Sequence, residues 1–161
     1  MSWPARDLDV ISIHAANSDG NAAGTNPKPE IGKDLTILGV DVVSAWISTD
    51  PSKPATRSMS GTSVATPVAA GVAALVLEFA MQKDVRDTET TEMLRSMLPL
   101  LRHNYGMHSV FRAMGVSTGG FLNIVPWEVL RKDLDDETKG RRQAAFTLRS
   151  ILHQTFGQLS I

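Results

Sequence analysis

Residues 61–77 constrain the fold more than any other part of this chain. They open with the heptad Gly61-Thr62-Ser63-Val64-Ala65-Thr66-Pro67, and from 64 to 77 every residue is apolar except Thr66, Pro67 and Gly71. A helix that is apolar on all sides is normally buried inside a domain. The run therefore predicts a buried helix over about 63–82.

The heptad places a hydroxyl at the start of this helix. Free backbone N–H groups at a helix N-terminus favour negative charge, so a developing oxyanion beside Ser63 can be stabilised. A serine becomes a nucleophile when a base takes its proton. The neighbours suit this role: Gly61 permits an unusual φ, Thr62 can cap the helix, Ala65 leaves room beside the nucleophile, and Pro67 lies near the first turn, where a missing amide costs least.

Two alternatives stay open on the residues alone. The heptad can be the start of a buried small-residue helix with a serine at its cap by chance. Ser58 and Ser60 are rival hydroxyls in the loop that leads to the helix.

The heptad resembles the nucleophile motif of the subtilisin-like serine proteases, G-T-S-x-A-S/T-P, and residues 68–75 resemble the buried helix that follows it. Segment 9–15 is similar to the family's V-I-x-V-x-A strand, 35–45 to the paired strands before the nucleophile, and 119–124 to its closing strand. The similarity covers about residues 3–131 and is greatest to fungal, intracellular-type members. It implies an α/β fold, only partly present here: a parallel sheet flanked by helices, with a buried nucleophile-bearing helix.

The resemblance also implies a chemistry. Ser63 would attack a peptide carbonyl, and peptide hydrolysis would proceed through an acyl-enzyme without a cofactor. Gly61, Thr62, Ala65, Thr66 and Pro67 are the supporting motif residues.

Most of the family's catalytic machinery is not found in this sequence. The family brings Asp and His from segments that precede the serine, and an oxyanion asparagine just before the V-I-x-V strand. The chain contains no D-S/T-G, H-G-T/S or A-A/S-G-N string. It is therefore similar to the C-terminal half of a catalytic domain, with one triad member of three, and the isolated chain is expected to be inert as a protease.

The remaining candidates for acid–base roles are interpreted as structural. Of the four histidines, His14 alone precedes Ser63, and it lies inside a strand-like run. His103 and His108 flank a predicted helix–helix turn around Gly106, and His153 lies on the predicted last helix. By resemblance, Asp41 is not a triad aspartate.

Three functional hypotheses follow. The first is the nucleophile-bearing part of a serine endopeptidase, acting on a peptide or protein substrate when the full domain is present. The second is a non-catalytic protease remnant that serves as a folded interaction module. The third is an unrelated all-helical scaffold. In the first two, an exposed sheet edge predicts a partner, either a missing N-terminal half or another protein.

Composition narrows the other possibilities. A net charge of −1 argues against nucleic acid or an anionic membrane as partner, and the absence of cysteine excludes disulfides and thiolate metal sites. The apolar run 64–77 is too short to span a bilayer. No metal is predicted, because the acidic residues within the charged stretch 131–142 match no calcium loop. A cytoplasmic chain is expected, with domains at 1–131 and 132–161, the latter an appended amphipathic helix.

The predicted elements, in chain order, are a strand at 9–15, a loop at 16–33, two short strands within 35–47 around Gly39, a loop at 48–60, the helix at 63–82, helices at 88–104 and 107–114, a strand at 120–125, a helical turn at 126–132 and a helix at 136–157. A methionine-rich stripe at 93–114 is predicted to fill the core.

Overall fold

The computed structural model describes residues 7, 9–29, 34–47, 52, 55–130 and 137–157. Its elements are β1 (Ile13–Ala16), β2 (Leu35–Leu38), β3 (Val42–Ala45), β4 (Thr56–Met59), α1 (Thr62–Met81), α2 (Thr88–Leu101), α3 (Asn104–Ala113), β5 (Gly115–Thr118), β6 (Phe121–Ile124) and α4 (Glu137–Phe156), with a 3₁₀ turn at Pro126–Glu128. The chain divides into two compact units, one of Met1–Ile11, Gly71–Val116 and Ile124–Ile161, the other of Ser12–Ala70 and Ser117–Asn123. We call these the helical unit and the sheet unit.

A four-stranded sheet in the order β1-β2-β6-β5 confirms the predicted α/β class. β1 and β6 both run parallel to β2, with Ile13 opposite Leu35 and Leu35 opposite Leu122. Parallel strands need long connections, and such sheets occur in α/β proteins whose helices cover the sheet faces.

The outer edge of β1 is occupied by the chain itself. The side-chain amide of Asn26 donates to the carbonyl of Ala15 at 2.7 Å and accepts from its N–H at 3.3 Å. Ala16 also forms an isolated antiparallel bridge with Ala22. The predicted loop after β1 therefore satisfies backbone groups that an edge strand otherwise leaves unpaired.

β3 and β4 form a separate two-stranded antiparallel ribbon, with Val42 opposite Met59 and Ala45 opposite Thr56. The sequence predicted a loop at 48–60, and β4 corrects that prediction. Every residue of β4 is exposed, so its sequence lacks the apolar alternation by which strands are recognised. Its pairing with β3 is what makes it a strand. β5 was missed for a similar reason, since no residue of β5 is buried.

The core of the helical unit lies between α2, α3 and α4. It contains Leu94, Met97, Leu101, Val110, Phe111, Met114, Leu148 and Leu152. The buried Met97, Met107 and Met114 confirm that the methionine stripe fills the core. Outside this core, Arg142 donates to Asp87 at 2.7 Å and so links α4 to the N-cap of α2. This hydrogen bond holds the pKa of Asp87 at about 2, below its usual value of 3.8.

The predicted turn around Gly106 is wrong by a few residues. α2 ends at Leu101, α3 begins at Asn104, and Gly106 lies inside α3. A side chain at Gly106 would overlap the carbonyl of Leu100. The glycine therefore permits the close approach of α3 to the end of α2, and does not form the turn.

The helix predicted at 63–82 is present as α1, but it is not buried on all sides. Its buried residues form one stripe, namely Ala65, Ala69, Val72, Val76 and Ala80, whereas Leu75 is 59% exposed. Within the part of the chain that the structure describes, nothing covers the opposite face. α1 is also 20 residues long and strongly apolar, so it meets the length and composition of a membrane span, as core helices of soluble proteins can. The prediction that the apolar run 64–77 is too short to span a bilayer therefore does not apply to the whole of α1.

Several predictions fall on residues outside those described. These are the acidic residues of 131–136, the segment at 3–6 and the end of the turn predicted at 126–132. The domain boundary at 131/132 stays a prediction.

Candidate active site around Ser63

The segment before Ser63 is joined to the carboxyl ends of β1 and β2 by hydrogen bonds. The carbonyl of Ala16 accepts the N–H of Gly39 at 2.9 Å, and the carbonyl of Gly39 accepts the N–H of Gly61 at 2.7 Å. A Cβ at Gly39 would lie 2.7 Å from that of Ala65 and 3.0 Å from that of Ala15. The first turn of α1 can therefore reach the sheet only because residue 39 is glycine.

Gly61 occupies the cap position that the sequence assigned to Thr62. Its carbonyl accepts the N–H groups of Val64 at 3.0 Å and Ala65 at 3.1 Å, and α1 begins one residue later at Thr62. Gly61 has a φ of 141°, a region that a side chain strongly disfavours. Gly61 thus adopts a backbone conformation that a capping serine or threonine would strongly disfavour.

Ser63 lies exposed in the first turn of α1. Its Oγ is 3.7 Å from the position that a Cβ on Gly61 would take. The N–H groups of Thr62 and Ser63 precede the first intrahelical donor, so the helix itself provides no acceptor for them. The hydroxyl is thus accessible beside two backbone donors at the positive end of a helix.

The rest of the heptad has roles that differ in part from those predicted. Ala65 is fully buried and packs against Gly39, so its small size serves packing, and the predicted room beside the serine stays a prediction. The hydroxyl of Thr66 donates to the carbonyl of Thr62 at 2.8 Å. Pro67 lies in the second turn, further along than predicted. Because proline has no N–H, the carbonyl of Ser63 lacks its i+4 donor.

The rival hydroxyls are placed differently from Ser63. The Oγ of Ser60 accepts the N–H of Asp41 at 2.9 Å and lies 3.3 Å from the Asp41 carboxylate. Asp41 has a φ of 55°, which asparagine and aspartate tolerate better than most residues. Ser60 thus supports the turn between β2 and β3. Ser58 lies in β4 opposite Val43.

His14 lies on the face of the sheet that points away from α1. Consecutive strand residues point to opposite faces, and the neighbouring Ala15 is the residue that faces Gly39 and Ala65. His14 itself is 4% exposed, with its ring 5.7 Å from that of Phe121. It therefore cannot serve as base for Ser63 in this fold.

Buried polar groups surround His14 on that face. Its Nε2 lies 3.5 Å from Oδ1 of Asp34, and the hydroxyl of Thr36, its partner in the β1–β2 register, lies 3.4 Å from Oδ1 of Asn123. The structural interpretation of His14 fits this arrangement.

The other histidines all belong to the helical unit. Nδ1 of His103 accepts the N–H of Tyr105 at the start of α3, and its ring stacks on Tyr105 with centroids 5.4 Å apart. Burial lowers the pKa of His108, with a smaller contribution from Arg112. His153 is exposed on α4. Among the described residues, no group of three or more His, Cys, Asp or Glu is placed to hold a metal ion.

Asn17 is a candidate that the sequence reasoning missed. It follows Ala16, whose carbonyl is linked through Gly39 to the heptad. Its Oδ1 accepts the N–H groups of Asp19 at 3.1 Å and Asn21 at 2.9 Å, so the amino group is the end of this carboxamide that can donate elsewhere. An asparagine directly after a parallel strand was the available signal, because ligands of open α/β sheets bind at the carboxyl ends of the strands.

These features describe an α/β protein with a parallel sheet, a tight glycine turn at its carboxyl end, and an exposed serine in the first turn of the next helix. The subtilase family model matches residues 1–116, and the chain belongs to the subtilase family.

Curated fungal proteins support the same assignment. The chain is 32% identical over 122 residues to "Subtilisin-like protease het-Q2" of Podospora anserina. This alignment covers 74% of the chain and 33% of the relative. It is 40% identical over 72 residues to "Subtilisin-like protease 3" of Pseudogymnoascus destructans, covering 44% and 17% of the two chains. The chain thus spans a third or less of the length of these relatives. No solved structure matches the chain significantly.

Proposed function

We propose that Ser63 is the nucleophile of a peptidase site and that this chain contributes the nucleophile-bearing part of that site. The observation that carries the proposal is the exposed hydroxyl in the first turn of α1, held at the end of the sheet by Gly39 and Gly61. A base would take the Oγ proton as Oγ bonds to a peptide carbonyl carbon. The C–N bond would then break, the proton would pass to the leaving amine, and water would hydrolyse the ester.

Donors for the oxyanion are available at the same place. The backbone N–H groups of Thr62 and Ser63 have no acceptor within α1. We propose that the Nδ2 amino group of Asn17 adds a side-chain donor. Removing one such donor from an oxyanion hole costs about 10²–10³ in turnover in a well-studied subtilisin.

The base and its orienting acid would come from a separate polypeptide segment. His14 faces away from α1, and the relatives are at least three times as long as the segment they share with this chain. We propose that such a segment docks on the exposed face of α1. Gly71 belongs to this face and has nothing within 4 Å of the position of a Cβ, so the surface there is open.

A second candidate function is a folded, non-catalytic interaction module of subtilase origin. The observation that favours it is the closed edge of β1. Asn26 and Ala22 pair with backbone groups of β1 that would otherwise need a further strand as partner. Substrate class, partner and a cytoplasmic location stay predictions under either function.

A fluorophosphonate probe of activated serines tests the peptidase proposal. The chain alone should not react. Fusion through a flexible linker to the part of the Podospora relative that the alignment leaves uncovered should create labelling at Ser63, because a linker raises the effective concentration of the two parts. Ser63→Ala should abolish labelling, whereas Ser58→Ala, which removes a nearby hydroxyl, should not.

The same fusion separates the two functions. Gly71→Leu should reduce labelling if the added segment docks on the exposed face of α1. A fusion that folds cooperatively and still does not react at Ser63 would refute the peptidase proposal and support the interaction module. Labelling of Ser58 or Ser60 would refute the assignment of the nucleophile.

A further inference from the structure

The helical unit contains a cavity of about 770 Å³ whose lining includes none of the residues around Ser63. It lies between the C-terminal end of α1, the loop that joins α1 to α2, and the first turns of α4. Phe79 and Leu130 provide apolar wall, and Lys83, Asp84, Arg86 and Arg141 provide charge. We call it the Arg141 pocket.

Arg141 is held in place at one of its two terminal nitrogens and has no hydrogen-bond partner at the other terminal nitrogen. Its Nη2 donates to the carbonyl of Gln82 at 2.9 Å and lies 3.2 Å from the hydroxyl of Thr91. Its Nη1 is buried and has no hydrogen-bond partner. A buried, unsatisfied donor costs free energy, and native structures satisfy nearly all such groups. The guanidinium is therefore held in one orientation on the wall of the pocket, and its Nη1 still lacks a hydrogen-bond acceptor.

The remaining charges of the pocket favour an anion. Among the described lining residues Asp84 alone is acidic, and it is engaged by Arg86, accepting the backbone N–H at 2.9 Å and the Nε–H at 3.4 Å. Lys83 is exposed at the rim. A planar guanidinium matches the geometry of a carboxylate.

We propose that the Arg141 pocket binds a small organic carboxylate, with the carboxylate on Nη1 of Arg141 and an apolar body against Phe79 and Leu130. The mixed lining distinguishes this ligand from a bare inorganic anion, which has no use for the apolar wall. The inference does not depend on the peptidase function, because it uses none of the residues around Ser63.

Calorimetric and NMR titration of the full chain with benzoate tests the proposal. Benzoate should bind with a dissociation constant in the millimolar range or tighter, and neutral benzamide should not bind, because it lacks the charge. Arg141→Met should weaken benzoate binding at least about tenfold, as expected for the loss of a charge-assisted hydrogen bond. Arg149→Met, which removes an exposed arginine of the same helix, should leave the affinity unchanged.

A second variant covers the case in which Arg141→Met fails to fold. Lys83→Gln with Arg86→Gln changes exposed side chains only and should weaken binding severalfold, with a reduced dependence on salt. Equal binding of benzoate and benzamide would overturn the proposal, as would binding of inorganic phosphate but not benzoate. The absence of detectable binding at a benzoate concentration of about 20 mM, roughly the limit of a weak carboxylate site, would also overturn the proposal.

Discussion

Gly39→Ala should destabilise this protein strongly, although residue 39 lies in a turn and carries no functional group. The added Cβ would lie 2.7 Å from Cβ of Ala65, 3.0 Å from Cβ of Ala15 and 3.1 Å from the carbonyl oxygen of Gly61. None of these atoms is the flexible end of a side chain, so relief requires a shift of β1, α1 or the turn between them. Overpacking costs typically 1–3 kcal/mol, and three rigid contacts place this substitution at about 3 kcal/mol.

The effect is measurable by thermal and urea unfolding followed by circular dichroism. For a chain of this size, about 3 kcal/mol corresponds to a fall in Tm of about 6–12 °C. Gly24→Ala is the matched control, because its Cβ would have nothing within 4 Å, and it should leave Tm within about 2 °C. Adding Ala65→Gly to Gly39→Ala removes the shortest contact. The double variant should therefore lose less free energy of unfolding than the two single variants together, by at least about 1 kcal/mol. Equal Tm values for Gly39→Ala and Gly24→Ala would refute the close approach of α1 to the sheet.

Three further predictions concern the site and the helical unit. Gly61→Ala should lower the free energy of unfolding in urea by about 1–3 kcal/mol, because the φ of 141° at this position strains any side chain. Gly71→Ala, which has open space around it, should leave the free energy of unfolding unchanged or raise it by up to about 1 kcal/mol. A larger loss for Gly71→Ala than for Gly61→Ala would contradict the strained conformation assigned to Gly61. Ser63→Ala should change the free energy of unfolding by less than about 1 kcal/mol, since Ser63 is exposed, and a larger loss would reveal a structural bond to its hydroxyl. Arg142 lowers the pKa of Asp87 from 3.8 to about 2. The contribution of this ion pair to the free energy of unfolding is therefore complete above pH 3.8 and is lost as the pH falls through about 2. In an acid titration of stability, Asp87→Asn should lose less stability at low pH than the unchanged protein, and identical profiles would exclude the ion pair as the source of that loss.

The residues of the Ser63 site were predictable to different degrees. The heptad identified the family, the position of α1 and the serine, because its spacing is unusual and local. The roles of Thr62, Ala65 and Pro67 were predicted less well, since they depend on where the helix begins and on what lies beneath it. Gly61 takes the cap position and Ala65 packs on Gly39, and neither fact can be read without the sheet.

Asn17 shows a different limit. Its sequence context is an ordinary loop rich in asparagine and glycine, and only the hydrogen bonds from Ala16 to Gly39 and from Gly39 to Gly61 bring the end of β1 to the heptad. The same geometry decides against His14 as a base, although His14 is the one histidine that precedes Ser63 in the sequence. A period of two in a strand separates neighbours such as His14 and Ala15 to opposite faces, but which face meets α1 is a tertiary property.

The sequence by itself determined the family, the α/β class, the long helices and the methionine core, because these follow from local spacing and hydrophobic periodicity. The tertiary structure alone decided the pairing of β4, the strand at β5, the place of Gly106 inside α3 and the burial of α1 along a single stripe. Strand pairing and burial depend on residues far apart in the chain, as with Val42 and Met59 or Gly39 and Ala65. An apolar helix is predicted to be buried, but its covered area is set by the elements that pack against it, and the described residues cover one face of α1.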